Sequence, residues 1–249
     1  MDLTDHVAFV TGGSGGLGSI IVTSLAKNGV DVVIGYREHR DAAEQVADDV
    51  SKIGRRATVV EMDQTKGESV EAAVGDVVKS MGRLDILVNN AAWTVPVPFR
   101  DLDALTPEIW DRIHGTNLRG PFLVARASAP HLRASGSGRI VNISAFIGLS
   151  PEGSSIAHAT AKAALIHLNR CLAVALAPEV TVNSVAPGLM EGTAIFGRLP
   201  AEVAEGVRER TVLKRHTTMQ DVADQVVAFC KSDSVTGQVL VVDGGLVFH

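Results

Sequence analysis

Two apolar patterns alternate along this chain. Val/Ile-rich runs recur at HVAFVTG (6–12), VDVVIGY (30–36), ATVVEMD (57–63), LDILVNN (84–90), GRIVNIS (138–144), VTVNSVAPG (180–188) and QVLVVDGG (238–245). Their continuous apolar character is that of strands buried on both faces. Most are separated by amphipathic stretches long enough for a crossover helix. Strand, helix, strand throughout predicts an α/β fold, a Rossmann-type doubly wound parallel sheet of seven strands with helices on both faces. No Pro/Ser-rich linker divides the chain, so residues 1–249 are expected to form a single domain. Residues 189–210 are the least strand-like stretch and are expected to form a lid.

In open sheets of this kind, ligands sit beyond the carboxyl ends of the strands. Gly12, Asp63, Asn90, Ser144 and Pro187 all fall there and should converge on one cleft. Thr11 to Gly18, TGGSGGLG, follows the first strand and opens a helix. Gly12, Gly16 and Gly18 suit a tight turn against a pyrophosphate, with free N–H groups at the helix N-terminus. Ser14 and Leu17 of the same loop join this nucleotide set. At the end of the second strand an acid would hold a ribose hydroxyl, and a cation would hold a 2′-phosphate. The text there is GYREHR, with Arg37 directly after the strand. Arg37 can make a bidentate contact to phosphate, so NADP(H) is expected rather than NAD(H).

Composition narrows the remaining classes. Charged residues make up 20%, aromatic residues 4%, and net charge is −5, which disfavours a nucleic-acid partner. Cys171 and Cys230 imply no disulfide framework, and no metal-ligand spacing is present. The start, MDLTDHVAFV, lacks the charged and apolar regions of a signal peptide, and no apolar run approaches ~18 residues. A soluble cytoplasmic protein with no membrane partner is expected.

In order, these motifs resemble the single-domain short-chain dehydrogenase/reductase family over essentially the whole chain. TGGSGGLG resembles its phosphate loop, and NNAA (89–92) resembles its N-N-A-G, with Ala92 in place of glycine. The resemblance implies that Asp63, with Gln64 beside it, and Asn90 serve the nucleotide. It implies that Asn117 belongs to a proton relay, and that Ser144 hydrogen-bonds the substrate oxygen. PGLMEGT, with Pro187, Gly188 and Thr193, resembles the loop that touches the nicotinamide carboxamide. Lys162 would bind the nicotinamide ribose. The implied activity is interconversion of a carbonyl compound and its alcohol, and the implied assembly is a homotetramer. The ending DGGLVFH (243–249) is a candidate to pack between subunits.

One position departs from the family. Its pattern is Tyr-x-x-x-Lys, and IAHATAKAAL (156–165) has His158-x-x-x-Lys162. Histidine and lysine four apart share a helix face. A neighbouring ammonium lowers a phenol's pKa but opposes imidazole protonation. At ~4 Å and an effective dielectric of ~20 the repulsion is roughly 4 kcal/mol, enough to depress His158 by up to about 3 units. His158 is therefore expected to be neutral at pH 7. Three readings follow. His158, or a water it positions, supplies the proton in carbonyl reduction. His158 is a base in isomerase or lyase chemistry. Or the fold binds NADP(H) as a sensor or partner protein without turnover. Retention of Asn117, Ser144 and Lys162 favours the first. Trp93, Phe146, Leu189 and Phe196 are candidate substrate-lining residues, which suits a neutral, moderately hydrophobic compound.

Overall fold

The structure is a computed structural model and describes residues 1–248. His249, the last residue of the DGGLVFH segment, lies outside the described residues. Seven strands form one parallel sheet: β1 (Val7–Val10), β2 (Asp31–Tyr36), β3 (Ala57–Glu61), β4 (Ile86–Asn89), β5 (Gly138–Ile143), β6 (Val180–Pro187) and β7 (Val239–Val242). Their spatial order is β3-β2-β1-β4-β5-β6-β7. Strands are added outward on one side of β1 up to β3 and on the other from β4 onward, and this switch point opens a crevice at the carboxyl ends of β1 and β4.

Successive strand residues point to opposite faces, so the inner strands feed two cores. Ala8, Val10, Val32, Ile34, Ile86, Val88, Val141 and Ile143 pack with α1 (Gly16–Lys27), α2 (Arg40–Lys52) and α8 (Met219–Lys231). Val7, Phe9, Val33, Leu87, Ile140 and Val182 pack with α3 (Gly67–Met81), α5 (Gly120–Ala134) and α6 (Ile156–Leu176). This double burial explains why the strands read as unbroken apolar runs.

Two local devices shape the surroundings of Asn117 and His158. A π-helical turn, Gly115–Arg119, joins α4 (Pro107–His114) to α5 and carries Asn117. Such single π turns bulge a helix and re-aim its side chains. Ser155 caps α6, its hydroxyl accepting from the His158 backbone N–H at 3.1 Å. Residues 189–210 hold a short 3₁₀ turn at Phe196–Arg198 and helix α7 (Ala201–Arg210), of which only Ala204 is buried. Among the described residues no helix is long and apolar enough to cross a membrane.

Candidate active site

The phosphate loop is tight for steric reasons. Gly12 has φ +62°, a region that favours glycine. A Cβ on Gly18 would lie 2.1 Å from the Gly12 carbonyl oxygen, so the loop folds back onto the first turn of α1 only with glycine there. Gly16, by contrast, would meet only Met219, at 3.4 Å or more, and the Gly192 carbonyl at 3.7 Å. Ser14 lines the cleft, whereas the Leu17 side chain is buried in the core with Ile21 and Leu25. Leu17 can thus serve a nucleotide only through its backbone.

Several polar residues expected at the nucleotide are spent on the protein. The Asn90 amide donates to the Thr11 and Gly12 carbonyls, both at 3.0 Å. The Thr11 hydroxyl accepts from the Asn90 and Ala91 N–H groups, at 3.0 Å each. These bonds stitch the ends of β1 and β4 across the crevice. The Gln64 amide donates to the Ala91 and Thr116 carbonyls at 3.1 and 2.8 Å. Asn90 and Gln64 therefore brace the cleft wall. Asp63 is held similarly: its Oδ1 accepts from the Thr65 N–H at 3.0 Å and the Thr65 hydroxyl at 2.6 Å. Burial pushes its carboxyl up, but the Thr65 bonds, with Lys66 and Arg37 nearby, bring it below the usual carboxylate range. Arg37 stands at the mouth of the same cleft, paired with Glu38 and partly exposed.

At the other end, four elements meet. Lys162 is 5% exposed, and its ammonium donates to the Ile143 carbonyl at 2.7 Å, directly before Ser144. Burial lowers its pKa to about 8. The turn Phe146–Gly148 packs on α6 at this point; a Cβ on Gly148 would sit 2.8 Å from the Lys162 carbonyl carbon. A buried amide chain fixes α6 on the sheet. Asn89 donates to Asn142 at 2.9 Å, Asn142 to Asn169 at 3.0 Å, and Asn169 to the Gln238 carbonyl at 3.3 Å. The Ser144 hydroxyl donates to the Val185 carbonyl at 3.1 Å and accepts from Ser184 at 2.7 Å.

His158 is 7% exposed. Its pKa is lowered to about 3, first by burial and second by Lys162. The neutrality expected from the sequence is thus present, but its main cause is desolvation rather than the ammonium. The Nδ1 edge of the ring meets the Ser154 hydroxyl at 2.8 Å, and Ser154 meets the Thr94 hydroxyl at 2.6 Å. Neither hydroxyl was expected from the sequence. Ser154 lies four residues before His158, but Thr94 is 60 residues from Ser154 and carries no local signal.

The remaining candidates are placed as follows. The Asn117 amide clamps the Trp93 backbone, accepting from its N–H at 2.9 Å and donating to its carbonyl at 2.7 Å. Trp93 carries the Arg112 guanidinium over its ring at 3.9 Å and packs near Ile113, Ala157 and Ala161. That engagement leaves less of the indole for a substrate than the sequence suggests. Pro187 is buried at the end of β6, and the Gly188 N–H bonds the Val242 carbonyl. The Thr193 hydroxyl donates to the Met190 carbonyl at 2.9 Å and accepts from the Phe196 N–H. Phe196 meets the His216 ring edge-on, with centroids 5.2 Å apart. Phe146 and Leu189 are half-buried.

A family model described as enoyl-(acyl carrier protein) reductase matches residues 12–247. A Streptomyces violaceoruber protein, named for a ketoacyl reductase of the granaticin polyketide synthase, is 38% identical over 96% of this chain and 95% of its own. A Burkholderia cenocepacia short-chain dehydrogenase, solved in complex with NADP, superposes with a TM-score of 0.91 at 33% identity, covering 99% of each chain. An NAD+-bound xylitol dehydrogenase superposes with a TM-score of 0.93 at 26% identity, covering 98% of this chain and all of that one. With its seven-stranded sheet, its glycine-cradled crevice and these matches along nearly its full length, the chain belongs to the short-chain dehydrogenase/reductase family, whose members here are oxidoreductases.

Proposed function

We propose that this chain is an NADP(H)-dependent oxidoreductase that interconverts a neutral, moderately hydrophobic carbonyl compound and its alcohol, with His158 where the family carries tyrosine. The observation that carries this reading is the meeting of Lys162 with the Ile143 carbonyl beside Ser144, one helical turn from His158. Ser144 and Lys162 are thus drawn together at the carboxyl end of β5, with His158 one turn earlier on the helix that carries Lys162.

The residues present fit a dinucleotide. Gly12 and Gly18 admit no side chain, so the loop backbone is held close to the cleft. Arg37 follows β2 with no acid in the strand's last positions, Gly35 and Tyr36, which favours a 2′-phosphate. When bound, the dinucleotide supplies or accepts hydride. The chain's own residues do the rest. A carbonyl oxygen at Ser144 takes over the hydroxyl donation that Val185 accepts. Lys162, pinned by Ile143, holds positive charge behind that oxygen. His158, neutral at pH 7, delivers a proton from Nε2 or through a water it orients. Phe146, Leu189 and Phe196 offer apolar contact, and residues 189–210 close over it within one catalytic unit, 1–249. Exposed Phe122, Val174, Leu240 and Phe248 support a homodimer or homotetramer, which size-exclusion chromatography would establish.

The test follows NADPH absorbance with a panel of neutral ketones for wild type and His158→Tyr. The tyrosine variant should turn over at least about tenfold faster. No gain, in a folded variant that binds NADPH, refutes the reading. The neutral, buried imidazole favours one second reading, a base in isomerase or lyase chemistry. Solvent deuterium entering product without net nicotinamide change would establish that instead.

A further inference from the structure

His158 poses a chemical difficulty for a proton donor. Its ring is buried, it lies one turn from an ammonium, and it sits at the positive N-terminal end of α6. An imidazolium is disfavoured there, and a neutral imidazole has one proton on one of two nitrogens. Which nitrogen holds it decides whether the ring can donate at Nε2. Among the described residues Nε2 has no hydrogen-bond partner, whereas Nδ1 meets Ser154 at 2.8 Å. Ser154 is anchored. Its carbonyl accepts from the Val97 N–H at 2.7 Å, its hydroxyl meets Thr94, and Ser155 beside it caps the helix. The neighbouring Glu152 is paired with Arg210 of α7 at 2.7 Å.

We propose that Ser154, backed by Thr94, is a positioning residue that holds His158 in the Nε2–H tautomer and returns a proton to Nδ1 when Nε2 gives one up. This rests on the proposed carbonyl–alcohol reading. In the step, the Nε2–H bond breaks and the proton goes to the substrate oxygen. At the same time the Ser154 O–H bond breaks and its proton goes to Nδ1. The Thr94 hydroxyl gives its proton to Ser154, and a solvent water gives one to Thr94, leaving hydroxide to the bulk. The ring changes tautomer without becoming a cation, so burial and Lys162 no longer oppose the transfer. When product leaves, water reprotonates Nε2, and the Nδ1 proton returns along the same hydroxyls.

Full-length protein labelled with 15N-histidine and saturated with NADP+ tests this by NMR. The His158 signals are those lost in His158→Tyr. In wild type, Nδ1 should show the shift of an unprotonated ring nitrogen and Nε2 that of a protonated one. Ser154→Thr should keep this pattern. Ser154→Ala should move both signals toward a tautomer average, and Thr94→Val should do so partially. With NADPH and ethyl acetoacetate as probe, Ser154→Ala should lower kcat about tenfold with KM within about threefold, and Ser154→Thr should restore it. A protonated Nδ1 in wild type, or shifts unmoved in both Ser154→Ala and Thr94→Val, overturns the proposal. The expected tautomer without turnover of any ketone defeats the carbonyl-reduction reading and leaves the Ser154 assignment standing. Turnover with a protonated Nδ1 does the reverse.

Discussion

Replacing His158 with Asn should flatten the acid limb of the stability profile. In the folded chain the imidazole titrates at about 3, and in the unfolded chain at the ordinary value of 6.5. Below pH 6.5 the unfolded state binds a proton that the folded state refuses. Stability is therefore complete above pH 6.5 and is lost as pH falls toward about 3. Linkage over this window puts the loss between pH 7 and pH 5 at about 2 kcal/mol. Lys162, whose pKa is lowered to about 8 from 10.5, is charged in both states over this range and contributes no slope. The difference between wild type and variant isolates the contribution of His158. Asn cannot titrate, yet it can still accept from Ser154. The assay is urea unfolding by circular dichroism at pH 7 and pH 5, without nucleotide and at one protomer concentration. With m near ~2–3 kcal/mol/M, the wild-type midpoint should fall by roughly 0.7–1 M more than the variant's. Equal falls would mean that the folded imidazole is solvated or paired. The neutral ring, and the mechanism built on it, would then be wrong.

Arg37→Ala should raise the Kd for NADPH by about 10- to 50-fold and leave NADH within about threefold, read by nucleotide fluorescence; an unchanged ratio would remove Arg37 from 2′-phosphate recognition. Gly18→Ala places a Cβ 2.1 Å from the Gly12 carbonyl oxygen and should cost more than about 3 kcal/mol in thermal unfolding, together with nucleotide binding. Gly67→Ala, where nothing lies within 4 Å, is the control and should be near neutral; similar losses in both would make the steric account wrong.

The sheet was legible because its inner strands feed two cores and so read as unbroken apolar runs. The glycine cradle and the His158–Lys162 register were legible because their spacing is local. The fate of amide side chains was not. Asn90, Gln64 and Asn117 each donate an amide N–H to backbone groups far away in sequence, bonds that no local spacing announces. Leu17 likewise turns inward, because the loop rolls α1 so that this residue meets Ile21 and Leu25. The cause of the histidine's neutrality escaped for a related reason. A charge one turn away can be counted from spacing, whereas desolvation depends on everything packed around the ring.

Hydrogen bonds from Asn90 and Ala91 to Thr11 and Gly12 rivet the floor of the crevice to two neighbouring strands. The proposed lid, by contrast, buries a single alanine of its helix, which an ion pair from Arg210 to Glu152 ties to the loop before α6. The two ends of the cleft therefore answer to separate stretches of chain. What the molecule accepts as substrate can drift through residues 194–210 while the socket for its nucleotide stays unaltered.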